Sequence, residues 1–486
     1  MNTQQPIGIR SFGAYIPARR MLRSEIAKAH AWALPGLRGL GKGEKAFCSW
    51  DEDVITMAVE AARDCLRGEA TEALARVSLA STSAPFGDVQ NAALIASAIS
   101  APRNVAVSDQ SASIRASLNA VSQACESGCG LQLLIASEQR KAKPGSAQEM
   151  LFGDGAGALL VDSGDDLLAH YLGSESISVP FIDHFRATRE SYEYGWEERW
   201  IRDEGVAKLV PEAVKGLLQR LGKEASDVAH FGLSGGGPRA DSFAAKKMGI
   251  DAQAVLPDLR DRVGDTGAAH ASLLLISALE RAVPGDLIVI AAFGQGCEAI
   301  AFEMIRAPNS TDRRGLAGSL ERRLEETAYM KMLSFGGEID IDWGMRAETD
   351  QKTALTQQYR VADQVFGFIG GQCSDCGTIQ FPRLPNCVSC GGFESQQPVP
   401  MADEKATVLT CTADWLMFSV APPLYMGLAQ FDNGARLLME IVDVGPEGVD
   451  VGTPLEMSFR IKERDRTRHY QRYFWKARPR AAAEGK

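Results

Sequence analysis

Four cysteines, Cys373, Cys376, Cys387 and Cys390, fall in the spacing C-x2-C-x10-C-x2-C, with Gly377 and Gly391 directly after each pair. Each C-x2-C turn bends its backbone so that two thiolates converge, and the following glycine accepts the positive φ that such a turn demands. Four thiolates close a tetrahedral shell around zinc, so the metal expected here is structural, with no open position for catalysis. Few apolar residues surround the four cysteines, and the segment is expected to fold only with its metal. Ten cysteines in 486 residues therefore point to metal binding and buried thiols rather than disulfides, which suits the cytoplasm.

A chain of this length exceeds what one core usually serves. From residue 6 to about 306 short β-branched runs alternate with Ala-rich helical stretches, the pattern of an α/β domain. The stretch 54–68 reads as an amphipathic helix, 105–109 as a strand, 113–128 as a small-residue helix closed by Gly128 and Gly130, and 131–137 as a buried strand. Residues 268–296 repeat that helix–strand order around Pro284-Gly285, so two similar halves are expected, 1–163 and 164–306. Residues 307–366 read as a connector holding one helix over 321–333, and 367–400 as the zinc ribbon. Beyond it come four or five strands without helices, one pair joined by Asn433-Gly434, which suits a small OB-type β-barrel over 401–480.

Net charge is −10, which repels a polyanion and argues against nucleic acid as the main partner. One exception is the span 460–486, with ten Lys or Arg against three acids; it is either a solvated barrel face or a seat for phosphates. The N-terminal MNTQQPIGIRSFGAYIP lacks the basic and apolar regions of a signal peptide, and no run approaches a membrane span, so no membrane partner is expected.

The run GQCSDCGTIQFPRLPNCVSCG, followed by a barrel ending in QRYFWKARP, resembles the zinc-ribbon-plus-OB domains that accompany thiolase-like enzymes and hold or pass CoA thioesters. Residues 7–306 are similar to the 3-hydroxy-3-methylglutaryl-CoA synthase and β-ketoacyl-acyl-carrier-protein synthase III branch of the thiolase superfamily. The stretches that carry this are GLGKGEKAFCSWDEDVITMAVEAA (39–62), FGDGAGALLV (152–161), GDTGAAHASLLL (264–275) and GDLIVIAAFGQG (285–296). The resemblance implies a thiolase fold, acyl-CoA as ligand, and a homodimer paired through sheet edges. A partner thiolase or hydratase is a further expectation.

Such enzymes use a helix-start Cys to take the acyl group, with His and Asn stabilising enolate or oxyanion. Carried over by position, the Cys falls at Ser113, the His at or near Ser234, and the Asn at Asp265, so the whole trio has changed. Around it stand Arg115, His270, and the glycine loop with Gly294 and Gly296. Lys45 and Phe47 belong to the stretch beside the CoA channel. Tyr194, Trp196, Arg199 and Arg202, in a segment dense with charged and aromatic residues, are candidates for the substrate wall or for a charge-laced exposed helix. Cys48, Cys65, Cys125, Cys129 and Cys411 read as packing residues; Cys297 is the one thiol beside the expected pocket.

The leading expectation is an acyl-CoA enzyme that makes or, more readily, cleaves a carbon–carbon bond next to the thioester carbonyl. Acid–base chemistry at Asp265 and His270 would replace an acyl-cysteine. Two rivals stand beside it. Ser113 as nucleophile would give acyl transfer or thioester hydrolysis, whereas loss of the trio would suit a non-catalytic CoA-ester scaffold for a partner thiolase.

Overall fold

The computed structural model of the chain describes residues 5–128, 130–308, 313–348, 352 and 354–480. Cys129 and residues 481–486, both used in the sequence argument, lie outside the described residues. Contacts divide the chain into two units, one of Met1–Ser49, Asp53–Ala96 and Ala101–Glu338, the other of Trp50–Glu52, Ser97–Ser100 and Ile339–Lys486. Among the described residues no helix is long and apolar enough to cross a membrane.

The first unit is organised by one nine-stranded sheet. Its strands are β1 (Ile7–Tyr15), β2 (Leu74–Ala80), β3 (Ala106–Gln110), β4 (Leu131–Glu138), β5 (Gly155–Ser163), β6 (Ala169–Ser178), β7 (Val228–Ser234), β8 (Leu287–Phe293) and β9 (Gly296–Met304). They lie in the order β7-β8-β9-β6-β1-β5-β4-β2-β3. Outward from the β1–β6 seam the two sides repeat, β1-β5-β4-β2 against β6-β9-β8-β7. Each side runs antiparallel, antiparallel, then parallel. Where β3 completes one side, the other has a single parallel bridge from Phe231 to Val255. The repeated helix–strand pattern of the sequence thus folds as two α/β halves joined through one sheet.

Four helices matter for the site: α1 (Val54–Cys65), α2 (Ala116–Ser127), α3 (Leu209–Leu221) and α4 (Ala268–Leu279). Helix α1 begins at a capping box, in which Asp53 accepts from the Thr56 N–H at 2.9 Å and Thr56 Oγ1 from the Asp53 N–H at 2.8 Å. Helices α2 and α4 precede the equivalent strands β4 and β8. All twelve residues of α4 are buried, and each large apolar side chain among them, such as Leu273 or Ile276, contributes roughly 2 kcal/mol by leaving water. Ala80, Ala116, Ala136 and Ala269 form one buried cluster, so the first turns of α2 and α4 meet over methyl groups. Larger side chains would hold the helices apart.

Residues 321–333 do not form the single helix expected. After Glu321 the chain turns extended, and Leu324–Glu326 pairs in parallel with Arg19–Met21. Sheet pairing satisfies that backbone, and Glu326 then accepts the Ala328 N–H at 3.0 Å ahead of a new helix, Tyr329–Gly336. The expected connector is also shorter than read, because Leu316 and Leu320 are buried in the main core of the first unit.

In the second unit, β10 (Ile369–Cys373), β11 (Ile379–Gln380) and β12 (Gln396–Pro400) form the ribbon sheet. Five further strands, β13 (Ala406–Asp414), β14 (Leu424–Phe431), β15 (Arg436–Glu440), β16 (Pro454–Asp465) and β17 (Tyr470–Pro479), lie in the order β15-β14-β13-β16-β17. Its two edges approach each other, with a parallel bridge from Ile441 to Ala477 and the Val442 N–H donating to Ala477 O at 2.8 Å. Phe368, Phe431, Phe459, Tyr473 and Trp475 are fully buried in this unit. Much of the basic C-terminal stretch is neutralised by its own strands: Arg460 pairs with Asp443, Lys476 with Glu440 at 2.9 Å, Arg472 with Glu463 at 3.0 Å and Arg478 with Glu456 at 2.8 Å. Arg460, Lys476 and Arg478 are buried, whereas Lys462, Arg464, Arg466 and Arg468 are exposed.

Candidate active site and zinc centre

Loops at the ends of β4, β7 and β8 and at the starts of α2 and α4 converge on one place. Asp265 opens the last turn before α4. Its Oδ1 accepts the Gly267 N–H at 2.9 Å, and Gly267 sits at φ +53°. A side chain at Gly267 would come within 3.1 Å of both Arg140 and Glu138, so glycine is required there by conformation and by space. Main-chain bonds at 2.7 and 3.0 Å tie Asp265 to Leu151 and Gly153, at the start of the FGDGAG stretch.

Two guanidiniums hold the Asp265 carboxylate. Arg140 Nη1 lies 2.7 Å from Oδ1, and Arg260 Nε 3.5 Å from Oδ2. Arg140 also reaches Glu193 at 2.6 Å and lies 3.3 Å from the Phe152 ring centre. Arg260 also donates to Leu233 O at 3.4 Å, next to Ser234. Burial works to raise the Asp265 pKa, but Arg140, His270 and Arg260 hold it far below the usual carboxylate range.

Asp265 and His270 share no direct hydrogen bond. His270 is fully buried, its Nδ1 accepts from the Thr266 N–H at 3.4 Å and faces Thr266 Oγ1 at 3.2 Å, and its Nε2 has no hydrogen-bond partner among the described residues. Burial and then Arg260 push the imidazole down to about 4, against the pull of Asp265.

Ser113 stands two residues ahead of the helical cap of α2, and its Oγ accepts the Arg115 N–H at 3.2 Å. Ile114 and Ser113 lie against Gly294, where a Cβ would meet Ile114 at 2.8 Å and Ser113 Oγ at 3.8 Å. Arg115 donates to Ile177 O at 3.1 Å and lies beside Gly296. Ser234 is buried at the end of β7, with no partner for its hydroxyl among the described residues. The structure therefore gathers Ser113, Arg115, Gly294 and Gly296 in one set of contacts, and Arg260 links Asp265 to the Ser234 end of β7.

A cleft open to solvent has Arg140 among its lining residues. Lys45, Phe47, Cys48, Lys141, Asp154 and Glu338 are among its walls. Lys45 is buried and donates to Glu149 O at 2.8 Å; burial pushes its ammonium down to about 8, opposed by Asp154 and Glu149. Trp196 and Arg199 do not line this cleft. Both are exposed, as are Tyr194 and Arg202, the last paired with Asp203 at 2.8 Å. Tyr192 and Glu193 instead carry that segment inward, Tyr192 to Glu338 and Glu193 to Arg140.

Sequence reading missed Arg140, Arg260, Glu138 and Glu193. Glu138 ends a fully buried strand and accepts N–H groups from Thr82 at 3.1 Å and Ala268 at 3.3 Å; burial raises its pKa. Charged residues closing the buried strand LQLLIASEQR were the readable sign of it.

In the ribbon the Sγ atoms of Cys373, Cys376, Cys387 and Cys390 all lie within 4.8 Å of one another. Cys373–Cys390 and Cys376–Cys387 are 3.7 and 3.6 Å apart. Thiolates about 2.3 Å from zinc stand about 3.8 Å from each other at the corners of a tetrahedron, so these four fit the ion. Cys297 is buried, and burial pushes its thiol up to about 12, as it does for Cys65 and Cys125.

Residues 218–304 match the family described as 3-oxoacyl-[acyl-carrier-protein (ACP)] synthase III C terminal, and residues 362–395 match the ChsH2 rubredoxin-like zinc ribbon domain. Hydroxymethylglutaryl-CoA synthase of Aeropyrum pernix is 28% identical over 359 residues, covering 72% of this chain and 95% of that protein. Among solved structures, MvaS in complex with 3-hydroxy-3-methylglutaryl coenzyme A is similar with TM-score 0.58 and 17% identity, over 68% of this chain and 92% of that one. 3-Oxoacyl-(acyl carrier protein) synthase III of Pseudomonas aeruginosa gives TM-score 0.56 and 20% identity, over 63% and 100%. With the two-half sheet and the four-cysteine centre, these likenesses show a thiolase-like α/β fold, similar in sequence to hydroxymethylglutaryl-CoA synthase, followed by a segment that matches a rubredoxin-like zinc ribbon.

Proposed function

We propose that this chain is an acyl-CoA enzyme that acts at the carbon next to the thioester carbonyl, with cleavage of a carbon–carbon bond the favoured direction and no acyl-cysteine on the path. The observation that carries this is the helix start at Ser113. Where the related condensing enzymes place their nucleophile, this chain has a hydroxyl that serves the Arg115 N–H and has no base within hydrogen-bond reach among the described residues. Cys65, Cys125 and Cys297 do not replace it, because they are buried with raised pKa values and hold almost no thiolate at neutral pH. Retro-aldol or retro-Claisen chemistry asks for a stabilised enolate and a proton carrier but no covalent acyl group. Relatives named for CoA chemistry, and a cleft with Lys45, Arg140 and Lys141 on its walls, support a CoA thioester as the ligand.

Zinc is read as a structural ion of the ribbon. The five strands that follow are read as an OB-type barrel, supported by the edge-to-edge bridge that turns their order into a ring. A homodimer through sheet edges, and docking to a partner thiolase or hydratase, complete the proposal.

The test is to incubate pure protein with 3-hydroxyacyl-CoA and 3-oxoacyl-CoA esters, following products and intact protein mass together. Cleavage products without a protein adduct, retained in Ser113→Ala, are expected. An acyl adduct lost in Ser113→Ala would make Ser113 the nucleophile, and bound ester without turnover would make the chain a scaffold.

A further inference from the structure

A second histidine, unlike His270, is both held and open. His184 lies in the two-residue strand that pairs with Tyr194–Gly195, and 22% of its side chain is exposed. Its Nδ1 is 2.7 Å from Asp183 Oδ2, while Asp183 itself is 5% exposed. The other carboxylate oxygen, Oδ1, accepts from Gln295 Nε2 at 2.8 Å, and the same amide donates to His184 O at 3.3 Å. Gln295 sits between Gly294 and Gly296 at φ +52°, a conformation rare for a non-glycine residue and kept here by these bonds. Through Gln295 the histidine is fastened to the glycine loop that lies against Ser113 and Ile114.

Resting on the C–C cleavage reading above, we propose that His184, oriented by Asp183, is the proton carrier of this site. A carboxylate on Nδ1 fixes the proton there in the neutral ring and turns Nε2 outward as the reacting atom. Nε2 has no hydrogen bond among the described residues. In the cleavage of a 3-hydroxyacyl thioester, Nε2 takes the hydroxyl proton as the C2–C3 bond breaks. The C2–C3 electron pair enters the thioester as an enolate, C3 departs as a carbonyl, and the proton returns from Nε2 to C2. Atoms and electrons balance without an oxidant or co-reactant. Three charged groups act on the ring: Asp183 and Glu193 favour the imidazolium, and Arg140 opposes it. Burial alone would lower its pKa, but Asp183 wins and the net shift is upward.

The experiment measures kcat/KM against pH for 3-hydroxyacyl-CoA cleavage in the full chain, His184→Gln and Asp183→Asn, with ester affinity read separately by calorimetry. The expected result is a loss of at least about 100-fold in His184→Gln with ester affinity within about threefold. In Asp183→Asn the acidic limb should move to lower pH by about one unit, because the imidazolium loses its counter-charge. Should His184→Gln fold poorly, the limb shift in Asp183→Asn still decides. Wild-type turnover with an unchanged rate and profile in both variants would overturn the role of His184 while leaving cleavage standing. Absence of turnover in the wild type would overturn the cleavage reading and this role with it.

Discussion

Helices α2 and α4 occupy equivalent places in the two halves, each ahead of an equivalent strand, and their first turns meet through Ala116 and Ala269. The residues just before them differ in kind. Ser113 leads α2 with an uncharged hydroxyl bonded to the nearby Arg115 N–H, whereas Asp265 leads α4 with a carboxylate held by Arg140 and Arg260. The same backbone solution therefore serves two electrostatic settings. Shared geometry comes from what must pack, and chemistry is set by the loops that reach each helix start from other strands.

Removing the clamp is expected to have the largest effect. Arg140→Ala leaves Asp265 and Glu193 without their main cation and should cost about 3–5 kcal/mol in denaturant unfolding. Arg115→Ala on the other side removes one bond to a carbonyl and should cost about 1 kcal/mol. Equal losses would break the contrast. Next comes the shared part: Ala116→Leu and Ala269→Leu should each cost about 1–3 kcal/mol by overpacking the helix contact, and a clear inequality would show that the halves are not packed alike.

Acid stability sharpens the electrostatic side. Asp265 has a depressed folded-state pKa, so its contribution is fully present above the unfolded value of about 3.9 and is lost as pH falls toward the folded one. Asp265→Asn should flatten the loss of stability below about pH 4, measured by urea midpoints across pH; an unchanged slope would remove Asp265 as its source. The smallest effect is expected for Ser113→Ala, about 1 kcal/mol or less, the size of a capping hydroxyl. A larger loss in thermal unfolding would mean that Ser113 bears more than the Arg115 N–H.

Much of the fold was legible because it is periodic. The buried run LQLLIAS, the helix AAHASLLLISAL and the hairpin at Asn433-Gly434 each occur as strand, helix and hairpin where read. The break at Arg322 was not legible, since its cause is pairing with Arg19–Met21, three hundred residues away in sequence. Of the candidate site, Ser113, Asp265 and the glycine loop could be located because the resemblance to a known family carried its positions over to them. Trp196 and Arg199 could not be judged, because aromatic and charged residues look alike in sequence whether they face a cleft or solvent.

The sequence by itself determined the four cysteines that could hold a metal, the alternation of helix and strand, and the absence of a cysteine at the helix start, because each follows from residue type at short spacing. Only the tertiary structure decided what those positions can do. Arg140 and Arg260 come from separate loops to hold the Asp265 carboxylate while Glu193 pairs with Arg140, and burial then divides the histidines, with His270 enclosed and His184 partly open against Asp183. Charge and proton affinity depend on distances and desolvation between groups remote in the chain, and those quantities exist only once the sheet has brought the loops together.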